Sequence, residues 1–157
     1  MEEEFFGGDN QEEEGDMPIE LNTPEDYANY EPQVLQAIDW LMKTPVNAEP
    51  EDRKAINGFL FEWISGSPTV SIELSEKIVT YMDHPDCLLI FLGGYTKYAI
   101  ENNDGKNKFR GNLSGTLSVI EFYKANKKEL GKIKPIEKLI KLKKKNKLED
   151  FIKKNSK

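Results

Sequence analysis

Apolar residues between Tyr27 and Met42 recur three and four positions apart, at Tyr27, Tyr30, Val34, Leu35, Ile38, Leu41 and Met42. This is the period of a helix with one buried side. Thr23 stands where a cap is needed, Pro24 in the first turn, and Glu25 and Asp26 where a helix N-terminus favours acids. Pro32 divides the stretch into a short first helix and a longer second one, and Thr44-Pro45 ends it. Pro50, among Glu49, Glu51 and Asp52, opens another helix with Ile56, Phe59, Leu60, Trp63 and Ile64 on one stripe; Ser65-Gly66-Ser67-Pro68 breaks it. Ser71 is the cap of a further predicted helix carrying Leu74, Ile78, Tyr81 and Met82, although Val70, Ile72 and Leu74 also alternate as an extended segment does.

His84-Pro85-Asp86 closes that element and begins the next. The run CLLIFLGGYTKYAI, Cys87 to Ile100, is apolar on nearly all sides and lacks the alternation of a strand, so it predicts a buried central helix. Asn102-Asn103-Asp104-Gly105 is turn chemistry, after which Phe109, Leu113, Leu117, Ile120 and Tyr123 trace an amphipathic helix toward Glu129, stopped by Gly131. Pro135 starts a helix with Ile136, Leu139 and Ile140 inward. Asn146 to Glu149 has the spacing of a capping box for a last short helix carrying Leu148, Phe151 and Ile152, which puts KKKNK at a helix junction.

The expectation is an all-α, single-domain bundle of six or seven helices around the buried central one, with stacked helix hairpins as the alternative packing. No residue pattern recurs between the hairpin starts near residues 24, 71 and 107, so an array of sequence repeats is not supported. Residues 1–22 hold too few apolar side chains to offset the entropy of ordering them, and read as a disordered acidic tail before a helical domain over 23–157.

Charge sharpens this picture. Residues 1–31 sum to −12 with no basic side chain, residues 32–104 to −6, and residues 105–157 to +12, with 16 lysines and Arg110 against five acids. Fields of opposite sign at the two ends govern which partners each end meets without setting the fold. The densest apolar run, Cys87 to Leu92, is six residues long, far short of a membrane span. The start, MEEEFFGGDN, lacks the basic and apolar regions of a secretory leader, which implies a cytoplasmic protein as given, and a secreted or periplasmic one if a leader was removed. The single cysteine precludes an internal disulfide and fits a reducing compartment.

Few constellations carry chemistry. His84 and Cys87, three apart at a helix start, are a conceivable base and thiol, set against the plainer reading of a helix-end histidine and a small core residue. One His and one Cys are too few for a structural zinc site. Asp39, Glu62 and Glu73 lie nearest the aromatic stripes; a pocket between Trp40 and Trp63 with Glu62 as its acid is weighed against both acids facing water, since neighbouring helix positions diverge by about 100°. IENNDGKNKFRG fails the register of a calcium loop, because Ile100 and Gly111 would occupy the first and last ligand positions. Gly93-Gly94 and Gly111-x-x-x-Gly115 lack a phosphate-loop pattern. They predict instead close packing of two helices, Gly93/Gly94 against Gly111, Ser114 and Gly115, with a ligand crevice as the sharper alternative.

The runs WISGSPTVSIEL, LGGYTKYAI and KLEDFIKK resemble stretches of small helical bacterial proteins, a likeness that implies no activity. What remains is a non-enzymatic helical interaction or scaffold module with no cofactor and no metal. Its interaction surface is assigned to Lys138, Lys141, Lys143, Lys144, Lys145 and Lys147, facing a protein with an acidic surface, and Phe5-Phe6 is a docking motif in the tail. The alternative is nucleic-acid or anionic-surface binding by the same lysines, disfavoured by the single arginine and the absence of an RNA-binding aromatic signature. The acidic tail would compete with either partner. Oligomeric state is left open.

Overall fold

The computed structural model describes residues 20–157; the disordered-tail expectation lies almost wholly outside them, as do Phe5 and Phe6. α1 (Pro24–Asn29) is closed at its start by a capping box: the Asp26 N–H donates to the Thr23 hydroxyl at 3.2 Å, and the Asp26 carboxylate accepts from the Thr23 N–H at 3.1 Å. Tyr30 ends α1 and starts α2 (Glu31–Lys43), which turns Val34, Ala37, Ile38 and Leu41 inward. α3 (Pro50–Gly66) runs back along it, since Phe59 packs edge-on to Tyr30 and the Trp63 Nε1–H donates to the Tyr27 carbonyl at 3.0 Å.

α4 (Pro85–Asn102) is the buried helix expected from the apolar run, with Cys87, the residues from Ile90 to Thr96, and Ala99 all removed from water. It packs most extensively against α5 (Lys108–Ala125), which returns antiparallel: Phe91 lies at Gly115 and Tyr95 at Gly111. A single turn, α6 (Lys127–Leu130), follows, then α7 (Lys134–Lys144) and α8 (Leu148–Asn155), both seated on α5. The described residues thus form an all-helical bundle of eight helices without strands, slightly more divided than the six or seven expected. The additional division falls at Asn126, whose side chain donates to the Phe122 carbonyl at 2.9 Å and breaks the helix expected to run to Glu129.

Two expectations are corrected. No helix begins at Ser71; residues 67–84 are an irregular connection in which Val70, Ile78, Val79 and Tyr81 are buried, while Leu74 and Met82 are 40% and 36% exposed. Serine hydroxyls compete with helical hydrogen bonds here, Ser67 accepting from the N–H groups of Thr69 and Val70 and Ser75 from that of Lys77. Nor is Asn146 the cap of the last helix. It adopts φ 60° as the left-handed residue that terminates α7, with the Lys147 N–H reaching back to the Leu142 carbonyl at 2.8 Å, and Lys147 precedes α8 without any side-chain cap.

The close helix pairing appears where small residues predicted it, with one change of partner. A methyl group on Gly94 would lie 3.0 Å from the Gly115 Cα and collide with Ser118, and one on Gly111 would enter the Tyr95 ring. Gly93 instead faces Ile38 of α2, so the two adjacent glycines serve two different helices.

Candidate interaction surface

α7 is amphipathic in a strict sense. Ile136 and Leu139 are buried against the bundle, and Lys134, Lys138, Lys141 and Lys145 are exposed. Their spacing of four, three and four places them along one stripe opposite the buried residues, about 16 Å long at 1.5 Å per residue. Lys144 flanks it. Helix positions three and four apart have Cβ atoms about 5–6 Å from each other, inside the ~8 Å screening length of physiological salt, so neighbouring lysines on such a stripe act on a partner together.

Helix stabilisation accounts for only half of this charge. Lys141, Lys143 and Lys144 occupy the last turn, where they match the helix dipole, whereas Lys134 occupies the first position, where a cation is unfavourable by about 0.3–1 kcal/mol. Among the described residues Lys134, Lys138, Lys141, Lys143, Lys144, Lys145 and Lys147 form no ion pair; the lysines that do are Lys97 with Asp39 at 3.1 Å, Lys108 with Glu73 at 2.8 Å and Lys127 with Glu137 at 3.1 Å.

The six lysines assigned from sequence are all exposed, but they do not share one face. Lys138, Lys141, Lys144 and Lys145 belong to the outer side of α7. Lys143 lies on the inner flank, on the rim of a groove of about 400 Å³ whose other lining residues are Leu113, Leu117, Asn146, Leu148, Glu149 and Asp150. Lys147 sits beyond the left-handed Asn146 at the junction with α8. Lys134 completes the stripe and was missed, though its spacing to Lys138 carried the signal. α8 adds no uniform field, because Glu149 and Asp150 share its exposed side with Lys153 and Lys154, and Lys153 lies 5.8 Å above the Phe109 ring.

The other candidates do not converge. Cys87 is buried, and desolvation with the neighbouring Asp86 charge pushes its thiol up to about 11, the opposite of what an activated nucleophile needs. His84 is half-exposed and lies 3.8 Å from Asp83. Trp63 is fully buried, whereas Glu62 is exposed and Phe61 is 59% exposed, so this acid and this tryptophan face apart. Asp39 and Glu73 are held by lysines, and the Lys108 hydrogen bond keeps the Glu73 carboxyl below its usual value. Among the described residues no His, Cys, Asp and Glu side chains cluster as metal ligands, and no helix is long and apolar enough to cross a membrane.

Three polar groups that sequence reasoning passed over hold the scaffold under this surface. Arg53 is buried; its Nη2 donates to the Thr44 and Leu41 carbonyls at 2.7 and 3.3 Å, and its guanidinium lies 5.5 Å from the Trp40 ring and 5.8 Å from Phe122. Asn126 accepts the Val46 N–H at 2.9 Å. Tyr123 accepts the Ile133 N–H and donates to Glu137, which Lys127 also holds; these contacts keep the Glu137 carboxyl below its usual value and fix the start of α7. Comparison of the chain with protein-family models, curated proteins and solved structures finds no match.

Proposed function

We propose that this protein is a non-enzymatic helical interaction module that holds an acidic protein segment against the outer face of α7. The observation that carries the reading is the stripe of Lys134, Lys138, Lys141 and Lys145, exposed, without ion pairs among the described residues, and extending to the helix end where cations are unfavourable. A rigid helix presents these charges in a fixed array, since its opposite side is anchored by Ile136 and Leu139. The groove beside Lys143 is a poorer seat for an acidic chain, because Glu149 and Asp150 stand on its rim.

A fluorescent peptide of about 20 glutamates, titrated at low salt and followed by anisotropy, tests this. The triple variant Lys138→Glu, Lys141→Glu, Lys145→Glu should weaken binding at least about tenfold, with Lys143→Glu much less effective; the affected positions are exposed, so the fold is retained by circular dichroism. Equal binding by the triple variant refutes the reading. Duplex DNA of equal charge bound about tenfold tighter, with a steep salt slope, replaces it with nucleic-acid binding.

A further inference from the structure

We infer that the protein pairs with a second copy of itself through the exposed side of α5, with Leu117 near a twofold axis. The inference goes beyond the reading of α7 and does not rest on it. Three open grooves of about 440, 400 and 290 Å³ meet at Leu117, which lines all of them. The first lies between Met42 of α2 and Phe122 and Ala125 of α5, the second between Leu113 and the start of α8 at Leu148, and the third between α5 and Tyr98 of α4. Met42, Tyr98 and Leu117 are half-buried, so a single chain leaves this apolar run partly in water. Grooves this open do not enclose a small molecule, as a ligand pocket does over most of the ligand's surface. They suit the face of another protein.

Size and charge select a second copy. Eighteen residues line the three grooves, close to the about 20–30 that each side of a stable interface uses. A twofold axis sets a surface against itself, so a patch of one sign repels its copy. This patch carries both signs. Glu101, Glu121, Glu149 and Asp150 stand on it with Lys143, and among the described residues none of these five forms an ion pair, whereas Lys97 is held by Asp39 at 3.1 Å. Lys124, exposed three residues beyond Glu121 on α5, adds a second unpaired cation at the edge. Rotation about Leu117 can therefore bring lysines of one protomer to acids of the other, while Leu117 meets its own counterpart at the dry centre. Lys134, Lys138, Lys141 and Lys145 line none of the three grooves, so pairing leaves the outer stripe of α7 in solvent.

Sedimentation of the full chain between about 1 and 200 μM should show a monomer passing to a dimer. Leu117→Lys should raise the dissociation constant at least about tenfold, because the axis sets the two introduced ammonium groups side by side at the centre of the interface. Circular dichroism checks that a change at this half-buried position leaves the fold intact. Leu117→Cys supplies a second readout. Under mild oxidation it should join two chains in a yield that follows the dimer fraction, while Glu62→Cys, exposed on α3, and the native chain, whose Cys87 is buried, should stay largely single. A chain that is monomeric throughout this range overturns the inference and leaves the face to a different protein. So does a dimer that Leu117→Lys leaves unchanged, or cross-linking at position 117 no greater than at position 62.

Discussion

Replacing Gly115 by alanine would place a methyl carbon 2.7 and 2.8 Å from two carbons of the Phe91 ring and 2.8 Å from the Phe91 carbonyl oxygen. The ring can tilt, but the carbonyl belongs to the α4 backbone, so α4 and α5 must separate by about 0.5–1 Å to restore ordinary contact. A gap of that size forfeits about a quarter to a half of each dispersion contact of about 0.1–0.2 kcal/mol, so loosening about 40 contacts, as many as one buried leucine makes, loses about 1–4 kcal/mol. Alanine returns about 1 kcal/mol through its greater helix propensity, leaving a net loss of about 0–3 kcal/mol. Gly58→Ala is the internal control: it lies within α3, and a methyl group there meets nothing within 4 Å. This second change should stabilise by about 0.5–1 kcal/mol. Urea unfolding followed by far-ultraviolet circular dichroism separates the two, as do thermal midpoints moving in opposite directions by about 3–5 °C per kcal/mol. If Gly115→Ala stabilises as Gly58→Ala does, the close approach of α4 and α5 is refuted.

Arg53→Met keeps the bulk of the side chain but removes the donor to the α2 carbonyls, and should lower stability by about 1–3 kcal/mol in the same assay; an unchanged midpoint would show the clamp to be idle. Glu137 has a folded-state carboxyl pKa below its 4.5 reference, so its contribution is fully present above that value and is lost as pH falls through the lowered one. Between about pH 5 and pH 3 the wild type should therefore lose more stability than Glu137→Gln, and parallel acid profiles would contradict this. Cys87, with its thiol pushed up to about 11, is roughly one part in a thousand thiolate at pH 8, and its alkylation should be far slower in native protein than in urea. Native and unfolded chains reacting at one rate would place this thiol in water.

The elements legible from the chain alone are those punctuated by proline: α1, α2, α3 and α4 each have proline within the first two positions, α1 with a side-chain cap as well, and the apolar run beginning at Cys87 is too uniformly buried for a surface helix. The segment after Ser67 was misread because its apolar spacing fits a helix while its serine hydroxyls satisfy the backbone locally, a competition that periodicity does not register. Asn146 was ambiguous in kind. Asparagine both caps helix starts and tolerates the left-handed conformation at helix ends, and the choice depends on whether the Lys147 N–H is claimed by α7.

For the surface, the lysines were visible as composition, but their division into a stripe, a groove rim and a junction required the boundaries of α7. Arg53 left a readable trace, standing three residues before Ile56 on the buried stripe of α3, where a charged residue demands a partner. Asn126 left none. Nothing near it in the chain indicates that its acceptor serves Val46.

That last bond joins positions 80 residues apart, which gives the protein a history as it is synthesised. At translation rates of about 5–20 residues per second, the connection between α2 and α3 leaves the ribosome roughly 4–16 s ahead of the asparagine that completes it. During that interval the Val46 amide is hydrated and the bend is held only by Arg53 and by its own backbone, where the Ala48 N–H donates to the Pro45 carbonyl at 3.0 Å. A nascent chain arrested before α5 therefore exposes this bend to proteases, and release of the finished chain closes it.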